Sequence, residues 1–289
     1  YPATIVFSTG FQAVYGTIST LADQNDLIFL DADSHASIYD GSLSSKAQVY
    51  RFKHNDPDNL AKRLEKVKDC QGNILICIEG IYSMLGDIAR LREFVDLKQE
   101  YRAYLLVDEA HSLGVLGEKG RGLVEEANAL EQVDFVLGTF SKSLGSVGGF
   151  CSSRHPELDY LRYACRQYMF TASQSPAQIA SVSTALGKIR DNPQLRTRLW
   201  DNAKQLYYGL KECGMELGPH PSPIVAIKLD TGEQALYFWQ ELLQRGIYVN
   251  VVFPPATPDK RPLLRCSVNA AHSSEQIQQI CSAVSEIYC

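Results

Sequence analysis

The sequence predicts an α/β fold: a large domain with a mainly parallel sheet covered by helices, then a small α+β domain at the carboxyl end. Three observations predict it. Short apolar runs of strand length alternate with longer amphipathic stretches of helical period up to about residue 150. The connections between them are short, as in a parallel sheet whose crossovers are helices. After Phe150-Cys151 the texture changes to long helical stretches with a few strands. The expected boundaries are 1–188 for the large domain and 189–289 for the small one.

In chain order, residues 4–7 read as a strand and run through Ser8-Thr9-Gly10 into a helix ending near Leu21. Residues 26–31 form a strand, and His35 opens the following helix. Residues 47–52 are a strand, and Asp56-Pro57 starts a charged amphipathic helix reaching Lys68. Residues 74–78 lead as a strand into a glycine-bearing loop over 79–87, and a helix covers 91–101. Residues 104–108 and 134–137 are two further strands. Beyond them, helices are expected over 155–166, from Pro176 to about Arg190, and over 193–213. The small domain then alternates strand 224–229, helix 233–245, strands 247–251 and 263–268, and helix 273–287.

Two strand ends carry chemistry. Gly138-Thr139-Phe140-Ser141-Lys142-Ser143 puts a lysine between hydroxyls, after a buried strand and before a cluster of glycines. It reads either as a solvated loop charge or as a Schiff-base lysine holding pyridoxal phosphate (PLP), with Thr139 and Ser141 near the phosphate. The strand ending in Asp108-Glu109-Ala110-His111 decides between the two. PLP needs a carboxylate against its pyridine nitrogen and gains from a donor at its phenolic oxygen. Asp108 suits the first role and His111 the second. Ligands in open α/β sheets sit at the carboxyl ends of strands, where both motifs fall. Ser8-Thr9-Gly10-Phe11 reads either as an ordinary N-cap or as a phosphate cradle at a helix start. His35 is placed to lie on a cofactor ring, or else is a capped surface histidine.

Composition sets bounds. With 45% hydrophobic and 21% charged residues, 289 residues suit a globular enzyme with a substantial core. A net charge of -5 gives no reason to expect nucleic acid or an anionic membrane as partner. The eight cysteines form no Cys-x-x-Cys pair, so reduced thiols in a cytoplasmic protein are expected, with no metal site and no disulfides. The chain starts at Tyr1 and enters a strand almost at once, which suggests a chain joined part-way.

Six motifs in order carry a family resemblance over essentially the whole chain. Ser8-Thr9-Gly10-Phe11, His35-Ala36-Ser37, Glu79-Gly80 with Ser83-Met84, Asp108-Glu109-Ala110-His111, Thr139-Phe140-Ser141-Lys142, and Arg265 before Ala271-His272 resemble the α-oxoamine synthases. These are fold-type I PLP-dependent transferases. Pro254-Pro255-Ala256-Thr257-Pro258, followed by Leu263-Leu264-Arg265, resembles the serine palmitoyltransferase branch of the soluble bacterial type.

The resemblance implies roles. Lys142 would be the Schiff-base lysine, Asp108 would pair with the pyridine nitrogen, His111 would bond the phenolic oxygen and His35 would stack on the ring. The amides of Gly10 and Phe11 and the Thr139 hydroxyl would hold the phosphate, with Ser141, Glu79 and Ser83 completing the cofactor site. Thr171 and Ser173 would reach the cofactor of a neighbouring subunit in a homodimer, and Arg265, with His35 near, would bind the substrate carboxylate. The implied reaction is decarboxylative condensation of L-serine with palmitoyl-CoA, giving 3-ketodihydrosphingosine, CO2 and CoA at the start of sphingolipid synthesis. Peripheral contact with a membrane is left open by this reading.

Two departures stand out: Phe253 occupies a place where such enzymes can carry an arginine, and the family's N-terminal segment has no counterpart here. Rival readings are 8-amino-7-oxononanoate synthase, glycine C-acetyltransferase and 5-aminolevulinate synthase, which share the site. An aminotransferase and a non-catalytic subunit are more distant rivals.

Overall fold

The computed structural model describes residues 1–288, which divide into two compact units. The first comprises Tyr1–Ile81 and Ile88–Asn192. In chain order it holds β1 (Ala3–Phe7), α1 (Gly10–Leu21), β2 (Leu27–Asp31), α2 (Ala36–Ser44), β3 (Gln48–Phe52) and α3 (Pro57–Leu64). There follow β4 (Ile74–Glu79), α4 (Leu91–Glu100), β5 (Tyr104–Asp108), α5 (Leu123–Glu126), β6 (Phe135–Thr139) and β7 (Gly149–Ser153). Three helices close the unit: α6 (Leu161–Ala164), α7 (Arg166–Met169) and α8 (Pro176–Asp191).

The seven strands form one sheet in the order β1-β7-β6-β5-β4-β2-β3. The five from β6 to β3 are parallel, and only β7 runs against its neighbours. Strands β2, β4 and β6 are buried at every position, as parallel strands covered on both faces must be. One face presents Ile28, Leu30, Leu75, Cys77, Leu106 and Leu137 to Ala13, Val14 and Ile18 of α1 and Ile38 of α2. The intervening Phe29, Ile76, Ile78, Leu105 and Val107 point the other way and are just as buried. Helix α4 packs on β5 and against α3 there, with the Phe94 ring tilted against Phe52 at a centroid distance of 5.7 Å. Because β1 and β6 both oppose β7, they point the same way. The start of α1 therefore lands on the edge where β6, β5, β4 and β2 end in Thr139, Asp108, Glu79 and Asp31.

The second unit comprises Tyr82–Asp87 and Pro193–Cys289. It contains α9 (Gln194–Glu212), β8 (Glu216–Leu217), β9 (Ile224–Lys228), α10 (Gly232–Gln244), β10 (Asn250–Val252), β11 (Leu263–Ser267) and α11 (Ser274–Tyr288). Its antiparallel sheet, in the order β10-β11-β9-β8, buries Val225, Ile227, Leu264 and Cys266 with Leu206 and Leu210 of α9, Phe238 of α10 and Ile277 of α11. The short segment 82–87 belongs here because Gly86 presses onto β9. A Cβ on that glycine would lie 2.2 Å from the Ile224 carbonyl oxygen.

The structure departs from the sequence reading at several places. The division between units falls after Asn192 rather than at 188, and segment 82–87 groups with the later residues. The single helix expected over 155–166 is a 3-10 turn at Pro156–Tyr160 followed by the short α6 and α7. Cys165 breaks it, extended at φ -77° and ψ 107°, with its side chain fully buried in the sheet core beside Gly16. Strand β7 and the two-residue β8 were not foreseen, and the strand placed at 247–251 forms at Asn250–Val252.

Candidate active site

A cavity of about 330 Å³ opens at the carboxyl edge of the large sheet. Nine of the residues singled out from sequence line it: Gly10, Phe11, His35, Glu79, Asp108, His111, Thr139, Ser141 and Lys142. They come from five separate stretches, brought together by strand order rather than by sequence proximity. Glu79 and Asp108 are register partners on β4 and β5, so their carboxyl groups leave neighbouring strand ends on the same side.

Each side chain is held locally. Thr9 caps α1 by accepting from the Gln12 amide at 3.1 Å, while the Thr139 hydroxyl bonds the Gly148 carbonyl and the Ser141 hydroxyl at 3.1 and 2.8 Å. The close approach needs glycine. A Cβ on Gly10 would sit 2.6 Å from the Thr139 side chain, and one on Gly149 would sit 2.6 Å from the Gly10 Cα. Asp108 accepts from the Ala110 amide at 2.9 Å. Glu79 accepts from the His35 amide at 2.5 Å, which ties the loop after β2 to the end of β4. His35 is itself the N-cap of α2, its Nδ1 accepting from the Ser37 amide at 3.2 Å.

Burial governs the charges. Desolvation raises the Asp108 carboxyl above the usual carboxylate range, opposed by the Ala110 amide, Lys142 and His35. Glu79 is pushed well above it, by desolvation first and by the nearby Asp108 second. The His35 imidazole is lowered by desolvation and by Lys142, against the pull of Asp108 and Asp40. Two buried carboxyls side by side and a lysine at one cavity make a site whose protonation depends on what it binds.

The remaining candidates lie elsewhere. The Thr171 hydroxyl accepts from Gln12 Nε2 at 3.3 Å, Ser173 is exposed, and neither lines the cavity. Arg265 and Ser83 belong to the second unit, where Arg265 Nε donates to the Ser83 carbonyl at 2.6 Å and Nη1 to the Ser267 hydroxyl at 3.0 Å. The cavity also includes residues given no role from sequence, among them Thr9, Ser37, Val147 and Gly148. The signal for Ser37 was present: a residue two places after a histidine that opens a helix can donate back to the ring.

The residues fit PLP. The first-turn amides of α1 offer donors and the positive end of a helix dipole to a phosphate. The Thr139 hydroxyl lies against them across a contact only glycine allows. A nearly fully buried carboxyl, Asp108, finds in a protonated pyridine nitrogen the cation that would offset its desolvation. Lys142, exposed in the same cavity, carries an amine of the kind a Schiff base with PLP would need.

Comparisons with known proteins agree. The model of the aminotransferase class I and II family matches residues 1–284. A serine palmitoyltransferase of Caulobacter vibrioides is 56% identical over 98% of this chain and 70% of its own length. Another, from Sphingomonas paucimobilis, is 49% identical over 96% of this chain and 66% of its own. The solved structure of serine palmitoyltransferase from S. paucimobilis with a bound PLP-myriocin aldimine superposes with a TM-score of 0.96 at 47% identity, covering 99% of this chain and 72% of that one. Matched along nearly its whole length, the chain belongs to the aminotransferase class I and II family of fold-type I PLP enzymes, in agreement with the α-oxoamine synthase motifs.

Proposed function

We propose that this protein condenses L-serine with a long-chain acyl-CoA, palmitoyl-CoA being the expected donor. The reaction joins the serine α-carbon to the acyl carbon, expels CoA, and releases the serine carboxylate as CO2, leaving 3-ketodihydrosphingosine. The observation that carries this reading is the meeting of Lys142, Asp108, His35 and His111 at one cavity in a chain 56% identical to a serine palmitoyltransferase.

PLP supplies, when bound, an electron sink for negative charge at the carbon beside the amino group. Lys142 Nζ anchors the cofactor and, as a free amine, moves the α-proton of the amino acid. Asp108 holds a proton at the pyridine nitrogen, and His111 donates to the phenolic oxygen. The amides of Gly10 and Phe11 and the Thr139 hydroxyl orient the phosphate, with Ser141 beside them. Arg265, whose guanidinium is fixed through Nε by the Ser83 carbonyl, binds the serine carboxylate. Glu79 holds the main chain of His35 in place.

A homodimer with shared sites is part of the same proposal. Ser173 is exposed, and the half-buried Thr171 lies beside the first turn of α1, where its hydroxyl accepts from Gln12; the proposal assigns both to a second chain's cofactor. Tyr163 and Phe170, 78% and 72% exposed on the same stretch, supply apolar surface for such a contact. No helix among the described residues is long and apolar enough to cross a membrane.

The test is a titration of the PLP-loaded protein with L-serine, glycine and L-alanine, each followed by palmitoyl-CoA. A change in the visible band with serine, then CoA thiol and CO2 released on addition of palmitoyl-CoA, is the expected result. Release with glycine or alanine and a shorter thioester instead would keep the family and overturn the substrate.

A further inference from the structure

The turn from β1 into α1 is fastened by a segment far along the chain, the stretch before α8. Gln174 Nε2 donates to two successive main-chain carbonyls, that of Phe7 at 3.1 Å and that of Ser8 at 2.8 Å. The sense of these bonds is fixed, because turning the amide over would set its oxygen against two carbonyl oxygens. Gln174 Oε1 is buried and has no partner among the described residues, so the donor end holds the side chain in place. The same stretch is tied to the turn twice more. Ser8 Oγ donates to the Ala172 carbonyl, and Gln12 Nε2 donates to the Thr171 hydroxyl at 3.3 Å. The Gln174 carboxamide also lies against Gly148, where a Cβ would collide with Nε2. Gly148 sits at φ +131°, and its carbonyl accepts from the Thr139 hydroxyl at 3.1 Å.

We propose that Gln174 is a positioning residue, which sets the direction of the amides at the start of α1 so that they hold the cofactor phosphate. A trans peptide carries its N–H opposite its C=O, so fixing the Phe7 and Ser8 carbonyls fixes the Ser8 and Thr9 amides. Thr9 is the N-cap of α1, and Gly10 and Phe11 follow it as the first helical residues. A hydrogen bond weakens steeply as its donor turns off line, so a turn with unheld carbonyls would grip a phosphate less well. Through Gly148 the same carboxamide backs the carbonyl that receives the Thr139 hydroxyl, and the two halves of the cradle share one support. Gln174 itself does not line the cavity and acts only through the main chain it holds. An apolar side chain of equal length would fill the space and leave both carbonyls without this donor. The inference rests on the reading of the α1 start and Thr139 as the phosphate cradle.

The experiment compares PLP with pyridoxal, which lacks the phosphate, by equilibrium dialysis against the full chain freed of cofactor. The wild type should bind PLP more tightly than pyridoxal. In Gln174→Met, which keeps the length and loses the donor, PLP affinity should fall roughly tenfold, the worth of one to two neutral hydrogen bonds. Pyridoxal affinity should stay the same. Gln174→Glu, of the same shape but with an oxygen set against both carbonyls, should lose at least as much. A general loosening of the fold would weaken both ligands alike, so the ratio of the two affinities separates positioning from mere support. An unchanged ratio in Gln174→Met and Gln174→Glu proteins shown by circular dichroism to be folded overturns the proposal, as does an equal loss of both ligands. A wild type with no preference for PLP over pyridoxal would overturn the cradle reading itself, an outcome distinct from a wild-type preference that the variants keep.

Discussion

Glu109 shows how a residue beside the reactive ones supports the site without lining it. Fully buried, it accepts from the Leu123 and Val124 amides at 2.9 and 2.7 Å and from the Ser112 hydroxyl, while Ser112 and Leu113 donate to its carbonyl. It thus fixes the turn that carries His111 to the start of α5. Desolvation raises its carboxyl from 4.5 to about 7. Since the folded value lies above the unfolded one, its favourable contribution is complete below about pH 4.5 and is lost as pH rises through about 7. Urea unfolding should show that decline in the wild type and not in Glu109→Gln; parallel pH dependence in the two proteins would contradict it. Glu109→Ala should cost at least about 2 kcal/mol, because it leaves buried donors without partners. At this scale Asp108 and Lys142 were legible in the sequence because each follows an apolar strand, where ligands bind. Glu109 was not: its importance lies in burial and in bonds that only folding creates.

Among the elements, the start of α1 carries the most demanding contact. Helix and sheet meet at Gly10 and Gly149 with no room for a methyl group on the backbone side. Gly149→Ala should therefore cost about 1–3 kcal/mol, as overpacking does, and weaken PLP retention through the displaced α1 amides. Equilibrium dialysis beside an unfolding curve checks both, and unchanged PLP affinity would show that the α1 start does not hold the phosphate. Thr9→Ala removes the cap alone and should cost about 1 kcal/mol. The parallel strands were readable because strands buried on both faces are short and apolar. The 155–166 helix was misread because apolar spacing alone does not reveal that burying Cys165 requires an extended residue. Strand β7 escaped notice because Gly149 and Ser153 occupy buried positions that patterning expects to be apolar.

For the whole molecule, the alternation of strand and helix predicted a mainly parallel sheet, whereas the order of its strands, which decides which strand ends meet, was not read from the sequence. The assignment of 82–87 to the second unit was not legible, since it depends on Gly86 and Leu85 packing against residues more than a hundred positions away. A cofactor that binds only the folded state must stabilise it. PLP at about 100 times its dissociation constant should add roughly 2.7 kcal/mol, seen as a rise in melting temperature on loading the apoprotein. No rise would mean that the cavity does not bind PLP in the folded protein.

The most direct test of the site is to locate the cofactor chemically. Borohydride reduction of the PLP-loaded protein, followed by proteolysis and mass spectrometry, should place the pyridoxyl group on Lys142 and remove the visible band. In Lys142→Ala neither the label nor the band should appear. A label on another lysine, or a band that survives in Lys142→Ala, would contradict the assignment of Lys142 and of the cavity built around it.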